Sequence, residues 1–123
     1  TAKENAASAL RNLTANENND TAIANAGAIQ PLNDLLSSGT ATAKENVAGA
    51  LQNLAANENN DIAIANAGAI QPLIALLSSG TATAKEDAAG ALRNLALNAN
   101  NRIAIANAGA IQPLIALLSS GTA

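Results

Sequence analysis

The sequence predicts an all-α protein, a solenoid of stacked helical units, and three observations carry the prediction. Units of 41 residues beginning at Thr1, Thr42 and Thr83 fill the 123-residue chain with nothing left over. Each unit opens on Thr with Glu three residues later, the capping-box signature of a helix start. Each also holds an Ala-Gly-Ala corner followed by a Leu-rich stretch with Pro near its start, which marks two further helices. Self-similarity at such a period belongs to solenoids, in which every unit buries its apolar face against its neighbours. Units two and three differ only at Asn46/Asp87, Val47/Ala88, Gln52/Arg93, Ala56/Leu97, Glu58/Ala99 and Asp61/Arg102, so they must fold alike.

The first helix of each unit is expected at about 1–15, 42–56 and 83–97, capped by Thr1, Thr42 and Thr83. Leu10 and Leu13, like Leu51 and Leu54, fall three apart on one face and point to the core. A polar stretch follows, Asn57-Glu-Asn-Asn-Asp61, whose short polar side chains favour a loop that ends in a helix start. The Ile62-Ala-Ile-Ala alternation admits a strand reading, but Ala is the best helix former and a poor strand former, so a short helix is expected. Gly27, Gly68 and Gly109 end that helix by adopting the left-handed cap conformation. The next helix begins with Pro72 in its first turn, and Leu73, Ile74, Leu76 and Leu77 make it the most apolar element. Ser78-Ser-Gly80 stops it. Each short helix and its apolar successor together occupy about 19–37, 60–78 and 101–119, and residues 1–123 form a single domain.

Composition narrows the function. The net charge is −3 and only six residues are Lys or Arg, so the concentrated basic face of a nucleic-acid binder is missing. Neither His nor Cys occurs, which removes the usual general base, thiol nucleophile and zinc ligands, and no enzyme activity, metal or cofactor is expected. Glu58-Asn-Asn-Asp61 lacks the Gly and terminal Glu of a calcium loop and reads as capping, while Glu86-Asp87 reads as first-turn acids favoured by the helix dipole. Two sequons, Asn12-Leu-Thr14 and Asn19-Asp-Thr21, are coincidences of an Asn-rich chain. Asn, Gln and Gly interrupt every apolar run short of a membrane span, and no signal segment opens the chain, so a soluble protein without membrane partners is expected. The absence of every aromatic residue, the three near-identical units and a start at Thr rather than Met suggest a consensus-built or engineered sequence.

The short helix, the Ala67-Gly68-Ala69 corner, the apolar helix ending Leu-Leu-Ser-Ser and the long helix ending Ala-Leu-x-Asn-Leu resemble the armadillo repeat, over the whole chain. The resemblance implies a right-handed superhelix whose third helices line a concave groove. It also sets the register: the chain starts at a third helix and ends at a second one. In that family the third-helix Asn bonds the main chain of extended peptides, and the matching positions are Asn12, Asn53 and Asn94. Importin-type members place a Trp one turn earlier. Here Ser8, Gly49 and Gly90 stand there, so the aromatic wall is missing.

Helical spacing puts Glu4, Ser8 and Asn12 on one stripe with Arg11 beside it. Glu45, Gly49 and Asn53 with Gln52, and Glu86, Gly90 and Asn94 with Arg93, repeat the pattern. Amides that both donate and accept suit a peptide backbone without demanding particular side chains, so these stripes form the candidate site for extended peptides or proteins. A second expectation is head-to-tail self-association through uncapped ends, by Leu10 and Leu13 at one end and Ile103, Ile115 and Leu118 at the other. Unit one carries Thr14, Thr21, Asn33 and Asp34 where unit two has Ala55, Ile62, Ile74 and Ala75, which reads as a partly polar cap.

Overall fold

The computed structural model describes residues 1–120. Nine helices and no strand occur among them: α1 (Ala2–Thr14), α2 (Glu17–Asn25), α3 (Ile29–Ser38), α4 (Ala41–Ala55), α5 (Glu58–Asn66), α6 (Ile70–Ser79), α7 (Ala82–Leu95), α8 (Ala99–Asn107) and α9 (Ile111–Ser120). The Ile-Ala-Ile-Ala segments are helical in all three units. Among the described residues no single helix is long and apolar enough to cross a membrane.

The inner caps differ from the sequence expectation. Thr1 does close a capping box with Glu4, but α4 and α7 are capped by Thr40 and Thr81, each accepting from the backbone N–H three residues on at 3.1 Å. Thr42 and Thr83 therefore lie inside the first turn. The reason is local: where Ser-Ser-Gly-Thr precedes the helix, an extended Thr is available two residues earlier.

The Asn-rich joint satisfies both helix ends that meet there. Asn57 accepts from the Asn59 N–H at the start of α5, while Asn60 Nδ2 donates to the Leu54 carbonyl at the end of α4, each at 3.0 Å. Asn16 and Asn19 do the same between α1 and α2. The next corner is a glycine one, with φ of +88° at Gly27, +89° at Gly68 and +92° at Gly109, a region in which only glycine is unstrained. It turns α5 into α6 by 86° and α8 into α9 by 83°.

These joints let α1, α4 and α7 stack side by side, with α3 and α6 packed behind them. Ala43, Val47, Ala48, Ala50 and Leu51 of α4 are buried at that stack, as are Ala84, Ala88, Ala91 and Leu92 of α7. Small side chains bring the helix axes close, and Leu32, Leu54, Ile64, Leu73 and Leu95 fill the space between layers. With no aromatic ring, burial of about 2 kcal/mol per leucine or isoleucine carries the fold.

Two of the polar substitutions in unit one are not solvent-facing. Thr14 and Asn33 are buried: Thr14 Oγ1 donates to the Arg11 carbonyl at 2.9 Å, and Asn33 Nδ2 donates to the Ala67 carbonyl of the next unit's corner. Only Thr21 and Asp34 face solvent. Asn33 thereby fastens α3 to the next unit, although its own Oδ1 is buried without a partner, and Thr14 Oγ1 also accepts from Asn53 Nδ2 of the next unit at 3.3 Å.

Asp20 and Asp61, in the first turns of α2 and α5, are buried with one carboxylate oxygen of each unpartnered. Burial, with a contribution from Glu58, pushes the Asp61 carboxyl from its ordinary 3.8 up to about 6; burial and then Glu17 raise Asp20 in the same direction. Because the folded pKa lies above the unfolded one, the folded state binds the proton more readily in that window. The stability contributed is complete below pH 3.8 and is lost as pH rises through about 6. Thermal melts should therefore show Tm falling as pH rises across that window, and Asp61→Asn should flatten the slope and raise Tm at neutral pH. An unchanged slope in the variant would contradict the assignment.

Candidate interaction face

The face formed by α1, α4 and α7 carries the candidate peptide-binding residues, and the structure separates them by role. Asn53 Nδ2 donates to the Arg11 carbonyl and to Thr14 Oγ1, both at 3.3 Å. Asn94 Nδ2 donates to the Gln52 carbonyl at 2.9 Å. Each Asn thus ties its helix to the end of the preceding third helix, supplying a donor where backbone carbonyls lack intrahelical partners. Asn12, the same position in unit one, is exposed and forms no such bond among the described residues.

Arg11, Gln52 and Arg93 occupy equivalent positions with different surroundings. The Arg11 guanidinium crosses α4: Nη1 donates to the Glu45 carbonyl at 3.3 Å and Nη2 to Asp87 Oδ2 at 2.7 Å. It lies directly on Gly49, where a Cβ would come within 2.6 Å of its Cζ and Nε. Gln52 rests on Gly90 in the same way, close enough that a Cβ there would collide with its terminal amide. The two mid-helix glycines are seats for the long side chain of the preceding unit, which accounts for a residue type otherwise unfavourable in a helix by about 1 kcal/mol. Arg93 is exposed.

Asp87 is not the first-turn acid that its sequence position suggests. Since α7 starts at Ala82, Asp87 falls in the second turn, is buried, and partners Arg11 two units away. Burial raises its pKa; Arg11 opposes that shift, and Glu86 and Glu45 add to it. The visible signal was the change from Asn46 to Asp87 between otherwise matching units, but nothing in the sequence paired it with Arg11. Glu4 is a capping residue rather than a groove charge. It accepts from Thr40 Oγ1 and from the N-terminal ammonium, and these bonds hold its carboxyl below the usual range. Glu45 and Glu86 form no ion pair among the described residues.

The ends differ from the interior. Leu13 is half-exposed whereas Leu54 and Leu95 are fully buried, and Leu10 lines a cavity of about 550 Å³ with Ala6, Ala28, Leu32 and Leu35. At the other end Leu118 is 87% exposed against 3% for its equivalent Leu77, and Ile111 and Ile115 are similarly uncovered relative to Ile70 and Ile74. Ile111 therefore joins Ile115 and Leu118 on that face. Ile103 does not: Ile62 is exposed in the middle unit as well, so both lie on an outer surface that stacking leaves open.

Three-helix units with a glycine corner, stacked through their third helices, define an α-solenoid repeat protein. The chain belongs to the Armadillo/beta-catenin-like repeat family, whose profile matches residues 16–56 and 57–97. Those bounds enclose α2–α4 and α5–α7, two three-helix repeats between α1 and the α8–α9 pair. Among solved structures, the designed armadillo repeat protein YIII(Dq)4CqI is 31% identical with a TM-score of 0.90, over 98% of this chain and 52% of that one. Computationally designed armadillo repeat proteins for modular peptide recognition match at 31% identity and a TM-score of 0.90, over 97% of this chain and 51% of theirs. The designed protein YIII(Dq.V1)4CPAF, in complex with peptide (KR)4, matches at 28% and 0.89, over 97% of this chain and 51% of that one. The chain spans about half the length of these proteins. No curated protein matches it.

The seat geometry yields a coupling that can be measured. Gly49→Ala alone should displace the Arg11 side chain, so the helix-propensity gain of about 1 kcal/mol is cancelled or reversed. In an Arg11→Ala background the same change should stabilise. A double-mutant cycle by urea unfolding should return an interaction of about 1 kcal/mol or more; additive effects would show that the guanidinium does not rest on Gly49.

Proposed function

We propose that the chain is a binding scaffold whose α1–α4–α7 face holds extended peptides or proteins, without catalysis. The observation that carries this reading is the fixed placement of Asn53 and Asn94. Their amide nitrogens are engaged by the preceding helix, which orients each side-chain oxygen as an acceptor, and neither oxygen takes a hydrogen bond among the described residues. Acceptors held at a constant repeat interval suit the N–H groups of an extended chain, and their pre-organisation lowers the entropy cost of binding. Relatives named for modular peptide recognition, and one in complex with (KR)4, support the same reading. Without an aromatic anchor, affinity rests on main-chain bonds and selectivity is low. In fluorescence anisotropy with labelled (KR)4, Asn53→Ala should weaken binding by roughly fivefold, the equivalent of about 1 kcal/mol for one hydrogen bond. Unchanged affinity in a folded variant would sink the reading.

A second reading concerns this 123-residue chain in isolation. The cavity beside Leu10 and the uncovered Ile111, Ile115 and Leu118 leave apolar surface open at opposite ends, where the interior equivalents Leu51, Ile70, Ile74 and Leu77 are buried. A second copy docking head to tail would join them, and such a heterologous contact extends into filaments or rings. Sedimentation should then show size increasing with concentration, and Ile115→Lys should hold the chain monomeric. A strict monomer at every concentration would remove this reading.

A further inference from the structure

We propose that Arg11 is the resident occupant of a guanidinium-binding seat on the α1–α4–α7 face, a seat that takes an external guanidinium group, such as a peptide's arginine, when Arg11 is absent. The identification of the peptide as a ligand rests on the binding reading above; the seat itself does not. Three features build it. Its floor is Gly49, whose missing side chain leaves room for a flat group: Arg11 Cζ, Nε and Cδ all lie within 3.0 Å of where a Cβ would stand. Its walls are two acceptors from different helices, the Glu45 carbonyl of α4 and the Asp87 carboxylate of α7. Its surroundings are acidic, since the groups acting on Asp87 besides Arg11 are Glu86 and Glu45 and no second cation is among them.

The shape selects the chemistry. A planar fork of N–H donors reaches a carboxylate and a carbonyl at once while lying flat on the glycine, whereas a lysine ammonium is a compact point charge that needs no flat floor. Asp87 is buried and pairs only with Arg11 among the described residues, so an emptied seat favours a replacement donor for its carboxylate. Access is open, because about a third of the Arg11 side chain, 30%, faces solvent. Unit two has no equivalent seat: Gln52 lies over Gly90 and brings no charge.

The test uses Arg11→Ala with ethylguanidinium and ethylammonium as probes at matched ionic strength, read by thermal melting. Ethylguanidinium should raise the Tm of Arg11→Ala saturably. Ethylammonium should not, and neither probe should raise Tm in the unsubstituted chain or in Arg11→Ala/Asp87→Asn. Equal effects of the two probes, the same rise in the unsubstituted chain or the double variant, or no rise at all would overturn the proposal. If Arg11→Ala does not fold alone, recovery of helical circular dichroism with ethylguanidinium supports the seat, and no recovery overturns it. Neither probe has a peptide main chain, so failure here leaves the Asn53→Ala peptide result to be judged separately.

Discussion

The close approach of α1, α4 and α7 is the constraint on which the rest of this protein depends. Ala, Gly and Val at the stack let the three helices lie near enough for side chains of one unit to bond the backbone of another. That spacing sets what each position on the face can be. A glycine inside a helix becomes a seat, an asparagine becomes a tether to the previous helix, and an arginine reaches across a whole unit to an aspartate. The α1–α4–α7 face is therefore partly furnished by the protein's own side chains, which occupy positions an incoming ligand would otherwise meet.

A chain without aromatic residues has little apolar area to set against buried polar groups. Yet Asp20, Asp61 and Asp87 are all buried, with their carboxyls raised by burial. Asp87 is partly compensated by Arg11, while Asp20 and Asp61 keep an unpartnered oxygen. The polar joints work the other way: Asn16, Asn19, Asn57 and Asn60 close helix ends that would otherwise leave backbone groups unsatisfied. At the α7–α8 joint Asn98 caps α8 in the same way, but Asn101 Nδ2 donates instead to the Asp61 carbonyl of α5.

Local and periodic features were readable from sequence. The repeat, the glycine corners, the apolar second helices and the family resemblance all follow from patterns within about forty residues, and α2–α7 match the family over 16–56 and 57–97. Features decided by packing were not. The helix start moved to Thr40 because two capping threonines competed and the earlier one is extended. Thr14 and Asn33 resembled a polar cap but point inward, where donors are needed. The Arg11–Asp87 pair lies beyond local reading altogether, since its partners are 76 residues apart and nothing in the period connects them.

The central claim is that a side chain from one unit is seated on the glycine of the next. Proton nuclear Overhauser spectroscopy on the 123-residue chain tests it most directly. Cross-peaks from the Arg11 side chain to the Gly49 α-protons, with none from the exposed Arg93 to any other helix, are expected. An Arg11 side chain that gives the same narrow, averaged signals as Arg93, with no contact to Gly49, would contradict it.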